Sequence, residues 1–112
     1  MTFDSDLVRS TAGPIVLRLV SERPMYGYEI IKVVNDRTQG AFEWKEGTLY
    51  PCLHRLEAAG LIASDWETAS SGRRRKYYRI TRKGAAELAE KVAEWKSFSL
   101  AMGSLFFATA KA

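Results

Sequence analysis

Residues 47–83 read GTLYPCLHRLEAAGLIASDWETASSGRRRKYYRITRK. Leu49, Cys52, Leu53 and Leu56 recur here at helical spacing and mark one face for a core. Gly60 follows where a left-handed cap would close such a helix, predicted at about residues 46–59. Beyond it Ile62, Ser64 and Trp66 alternate with Ala63, Asp65 and Glu67, and Tyr78 and Ile80 alternate with Tyr77 and Arg79. Ala69-Ser70-Ser71-Gly72 lies between the two segments as a turn cluster. Strands at 62–68 and 76–80 are therefore predicted to form a hairpin with Gly-Arg-Arg-Arg at its tip. A short amphipathic helix followed by a cationic hairpin is the order of a groove-reading helix and a β-wing.

Charge supports the same division. Residues 1–67 hold 7 Lys/Arg and 10 Asp/Glu, and residues 87–112 hold 3 of each sign. Residues 68–86 hold Arg73, Arg74, Arg75, Lys76, Arg79, Arg82 and Lys83 with no acid, so the positive excess of this +4 chain sits in one segment. Such a cluster is the electrostatic footprint expected for a polyanion; a merely solvated loop is the plain alternative. With 112 residues the expectation is one small domain without room for a catalytic one. A lone cysteine, Cys52, excludes an intramolecular disulfide and suits a cytoplasmic setting. The acidic start at 1–6 is unlike a signal peptide, and no apolar run reaches about 18 residues, so no membrane span is expected.

Working outward, an apolar face of Ile15, Val16, Leu17, Leu19 and Val20 predicts a first helix at 10–21, with Pro14 in its first turn. Whether residues 4–9 join it stays open. Glu22-Arg23-Pro24 ends the pattern. Tyr28, Ile31 and Val34, with Ile30 beside them, predict a second helix at 27–38, which Gly40 closes. Phe42 and Trp44 fall in a connector. Thr81 is a good N-cap for a last helix reaching about residue 108.

The outward side of the 46–59 helix carries Thr48, Tyr50, Pro51, His54 and Arg55, where a solvated surface would favour Glu and Lys. These side chains suit base edges, thymine methyls and phosphates. Tyr50 has a structural alternative, packing over the adjoining turn. His54 is the only histidine and has no cluster to form a metal site with. Cys52, on the apolar side, reads as a small core residue rather than a redox sensor. In the last helix Ala85, Leu88, Val92, Trp95, Ser99, Met102 and Phe106 follow spacings of 3 and 4, a heptad seam. A helix that long would overhang a small body and leave the seam wet without a second chain. A homodimer is expected, with Leu7, Leu88, Val92, Trp95, Met102 and Phe106 in its interface.

These motifs resemble the PadR family of winged helix-turn-helix regulators. The resemblance rests on Tyr26-Gly27-Tyr28-Glu29-Ile30, Gly47-Thr48-Leu49-Tyr50-Pro51, Leu53-His54-Arg55-Leu56-Glu57, Gly60-Leu61-Ile62, residues 72–81 and Gly84, and it covers roughly 14–95. It is similar to the small subfamily with a single long helix after the wing. The resemblance implies a mainly α fold with a small β-hairpin: a winged helix-turn-helix domain at 1–81 and a dimerisation helix at 82–112. It implies repression by a homodimer on an inverted-repeat DNA operator. Contacts would come from Thr48, Tyr50, Pro51, His54 and Arg55 in the major groove, Tyr26 and Lys45 on the backbone, and Arg73, Arg74, Arg75 and Lys76 on flanking phosphates. In the small subfamily a drug binder stacks planar aromatic ligands between two tryptophans at the dimer centre. Trp95 stands at the matching place, with Leu17, Val92, Phe98 and Ser99 as further lining, and simple packing of Trp95 in the seam is the alternative. Ser99 departs from the acidic residue found there in the drug binder, and Gly13-Pro14 departs from the family's first helix. No cofactor and no metal are expected. Two rival classes remain: a winged-helix protein-interaction module, and an enzyme, for which no nucleophile–base set or phosphate loop is evident.

Overall fold

The computed structural model describes residues 3–107. Asp4 opens the first helix, its carboxylate accepting the Asp6 amide at 2.7 Å, and α1 runs Ser5–Glu22. The helix thus starts well before residue 10, and Pro14 sits mid-helix rather than in a first turn. Proline has no N–H to offer the preceding turn. Burial of Ala12, Val16, Leu17, Leu19 and Val20 along the same helix offsets that loss.

Next comes a two-residue strand, β1 (Met25–Tyr26), which the sequence reading did not include. It is too short for any periodicity to announce it. The helix α2 (Gly27–Arg37) buries Ile30 and Val34 but leaves Tyr28 exposed, so Tyr28 is not part of the core face as predicted. At its exit Gln39 and Gly40 both take left-handed backbone, with φ 49° and 77°, and the Gly40 amide reaches back to the Asn35 carbonyl at 2.7 Å. The connector is pinned by Asn35, whose side chain accepts the Trp44 N–H (2.7 Å) and donates to the Trp44 carbonyl (3.0 Å). Trp44 is only 2% exposed and is one of the largest core side chains.

The third helix, α3 (Glu46–Ala58), buries the four predicted residues Leu49, Cys52, Leu53 and Leu56. Its end is a Schellman cap: Gly60 adopts φ 76°, its amide bonds the Glu57 carbonyl, and the Leu61 amide bonds the Leu56 carbonyl. The strands β2 (Ile62–Thr68) and β3 (Arg74–Ile80) then form the wing. β3 starts two residues before the predicted 76, so Arg74 and Arg75 belong to the strand and only Arg73 to the tip. The hairpin closes through Gly72 N–H to Ala69 O and Ala69 N–H to Arg73 O, both 2.8 Å, with Gly72 at φ 86°. The sheet order is β1-β3-β2, all antiparallel.

Thr81 caps the last helix, α4 (Arg82–Phe106), by accepting the Gly84 amide at 3.0 Å. Gly84 is required by proximity, since a Cβ there would lie 2.0 Å from the Leu61 carbonyl oxygen. The predicted end near residue 108 falls outside the described residues. The fold is thus mainly helical, with one small sheet. Its core gathers α1, α2, α3, Met25, Trp44, Ile62, Tyr78 and Leu88. After Leu88, α4 contributes no buried side chain among the described residues, and it carries the molecule to an extent of 66 Å. No helix among them is long and apolar enough to cross a membrane.

Candidate nucleic-acid interface

The outward face of α3 presents Tyr50, Pro51, His54 and Arg55 to solvent and Thr48 half-buried, and Lys45 stands exposed at the N-cap. Tyr50 is also held from below. Its hydroxyl lies where a Cβ on Gly27 would come within 2.5 Å, so the glycine opening α2 makes room for this ring. The structural reading of Tyr50 thus holds, since the ring packs on α2, while the residue stays 37% exposed. Cys52 is buried, and burial pushes its thiol above the usual range although Arg55 pulls the other way.

The wing's cations divide into engaged and free. Arg79 pairs with Asp65 at 3.1 Å, and Lys83 donates to the Ala59 carbonyl at 2.9 Å. Lys76 lies 3.8 Å from Glu57, whose carboxylate also accepts the Ser64 hydroxyl. That trio ties both wing strands to α3. Tyr78 lies beside it on the buried face, and burial, followed by the Glu57 charge, raises its phenol above the ordinary value. Among the described residues Arg73, Arg74 and Arg75 pair with no carboxylate. Arg74 and Arg75 instead lie over aromatic rings. The Arg74 guanidinium carbon is 5.3 Å from the Trp66 centroid, and that of Arg75 is 4.5 Å from the Tyr26 centroid.

Between the wing and the N-termini of α2 and α3 runs an open slot of about 580 Å³. It is lined by Arg73, Arg74, Arg75 and Lys76 of the wing together with Tyr26, Tyr28, Tyr50, Trp66 and Glu46. Tyr26, Tyr50 and the four cations are thus brought together. Lys45, Thr48, Pro51, His54 and Arg55 lie outside the slot, along or just before α3. Trp66, Tyr28 and Glu46 were missed. Trp66 shares the strand face of Ile62, yet it is 58% exposed because that face overhangs the core toward the tip.

A second cavity, about 400 Å³ and almost wholly apolar, opens between α1 and α4. Pro14, Ile15, Leu19, Phe42, Val92 and Trp95 line it, with Thr11, Leu88, Arg18 and Lys91. Of the ligand-lining residues named from sequence, Val92 and Trp95 are there. Leu17 is not: it is 2% exposed and packs in the core, because it sits on the opposite side of α1 from the cavity-lining Ile15 and Arg18. Phe98 and Ser99 lie farther along α4, where Phe98 meets Trp95 edge-on at 5.7 Å. Of the named interface residues, Leu88 is already buried within its own chain. Leu7, Val92, Trp95 and Phe106 are exposed and Met102 half-buried.

Comparison with known proteins agrees with this geometry. The family model "Transcriptional regulator PadR-like family" matches residues 16–90. An uncharacterized protein of Lysinibacillus sphaericus is 45% identical over 91 residues, covering 81% of this chain and 84% of its own. A transcriptional regulator from Clostridium thermocellum superposes with a TM-score of 0.84 at 34% identity, covering 96% of this chain and 100% of that one. A PadR-like transcriptional regulator from Bacillus cereus gives 0.83 at 30% identity, covering 94% and 100%. The family model and both solved structures are those of transcriptional regulators, a family of DNA-binding regulators rather than enzymes. The chain belongs to the PadR-like family of transcriptional regulators.

Proposed function

We propose that this regulator acts as a homodimeric repressor on an inverted-repeat operator, with residues 1–81 reading DNA and residues 82–112 pairing the subunits. The observation that carries it is the slot flanked by α3 and a wing whose Arg73, Arg74 and Arg75 pair with no carboxylate among the described residues. A helix in the major groove and a wing over the adjacent minor groove are separated by one sugar-phosphate strand. The slot is where that strand passes. Thr48, Tyr50, Pro51, His54 and Arg55 then face base edges. Lys45 and Tyr26 hold backbone, and Arg73, Arg74 and Arg75 grip phosphates. Lys76 contributes less than its neighbours because Glu57 occupies it.

Pairing follows from α4. Along the heptad seam of α4, Val92, Trp95 and Phe106 are exposed and Met102 half-buried, and a second copy of the same seam is the partner that closes it with two-fold symmetry. Footprinting on the upstream region of its own gene, together with sedimentation, tests this reading. Two protected half-sites about one helical turn apart and a dimeric mass are expected. A monomer that protects nothing contradicts it.

A small effector is a second reading, favoured by the apolar α1–α4 cavity with Trp95 in its wall. A planar aromatic molecule would stack there. Arg18 and Lys91 in its lining pair with Glu22 at 3.7 Å and Glu94 at 3.3 Å, so a neutral ligand suits it best. Such a ligand changes operator affinity only if it binds the two dimer arrangements unequally.

A further inference from the structure

We infer that Trp66 and Tyr26 are positioning residues that hold the arginines of the wing flat and aimed at phosphate before DNA arrives. The inference rests on the reading that the slot receives a DNA strand. Alternation along β3 sends Arg74 to the face shared with Trp66 and Arg75 to the opposite face, shared with Tyr26. Each guanidinium has one ring on its own side, two residues away diagonally across the ladder: Trp66 on β2 for Arg74, Tyr26 on β1 for Arg75.

Two details separate this from chance proximity. Arg75 stands directly opposite Glu67 in register, yet it makes no ion pair with it and lies on Tyr26 instead. Tyr26 is itself buttressed by Tyr77, edge-on at 5.5 Å. Trp66 is the other detail: a large apolar ring more than half exposed on a wing strand has no core to fill, and the Arg74 guanidinium is the group that lies over its face. A guanidinium stacked on a ring keeps its N–H donors in the plane, pointing sideways, where they can form the bidentate fork that phosphate accepts. Much of the rotamer freedom lost on binding is then given up in the free protein. Arg73, at the tip, has no ring over which to lie among the described residues, and it serves as the internal control.

The experiment is a double-mutant cycle on the full-length protein, read by anisotropy of a fluorescein-labelled mixed-sequence duplex across a salt series. Trp66→Leu is expected to weaken binding about two- to fivefold with the salt slope unchanged, because the phosphate contact is still made but is no longer pre-aimed. Trp66→Phe should restore most of the affinity. In an Arg74→Ala background Trp66→Leu should cost nothing further, and Tyr26→Leu should cost less against Arg75→Ala than in the wild type, keeping only the loss of its own backbone contact. Equal losses in both backgrounds, or no loss at all, overturn the inference. Thermal midpoints by circular dichroism should match the wild type for the exposed Trp66 variants; a large drop rescued by no aromatic would mean a purely structural ring and also overturn it. Wild-type protein that binds no duplex even at low salt sinks the underlying DNA reading, whereas wild-type binding with additive losses sinks only the stacking.

Discussion

Among the described residues Glu46 is the one carboxylate lining a slot whose other charged side chains are all cations. Its charge repels a phosphate strand, and at a few ångströms in water such a repulsion amounts to about 1 kcal/mol. Glu46→Gln should therefore tighten duplex binding up to about fivefold, most at low salt; a titration showing weaker binding would mean that Glu46 reads a base instead. Cys52 shows the opposite kind of residue, one whose chemistry is silenced. Buried and with its thiol pushed up, it should react with a thiol reagent only as fast as the protein opens. Rapid labelling of folded protein would restore the redox-sensor reading.

Elements succeed or fail at their joints. The joint between the reading head and α4 is Gly84 against the Leu61 carbonyl, and a Cβ at 2.0 Å forces backbone to move. Gly84→Ala should lower stability by about 2 kcal/mol, as overpacking does, measured by urea unfolding; an unchanged midpoint would show that the joint yields freely. The core face of α3, its Schellman end, the hairpin and the Thr81 cap were legible because each has a local signature: periodic leucines, a glycine past them, a turn cluster, a threonine before a helix. What was not legible depends on partners far along the chain. β1 exists because Met25 and Tyr26 meet Tyr78 and Tyr77. Trp44 is core because Asn35 folds the connector inward. Tyr28 has the spacing of a core residue, but α2 opens onto the slot at its N-terminus and leaves the ring outside. In the site, the arginines were legible as charge. Their aromatic seats were not, since cross-strand diagonals appear only once register is known.

Across the whole molecule, α4 is the feature that a single copy does not complete. Most of its length carries exposed apolar side chains, and the α1–α4 cavity opens at its root. Trp95→Ala should abolish fluorescence quenching by a planar aromatic ligand while sedimentation still gives a dimer; quenching that persists would place the ligand elsewhere or leave Trp95 as seam packing alone. The central claim, though, concerns the reading head: a groove-sized helix beside a wing whose unpaired arginines grip phosphate. It is tested most directly by the salt dependence of duplex binding for wild type and for Arg74→Ala combined with Arg75→Ala. The account predicts weaker binding and a shallower slope, by about 0.9 for each phosphate contact removed. Weaker binding or not, a slope identical to that of the wild type would contradict it.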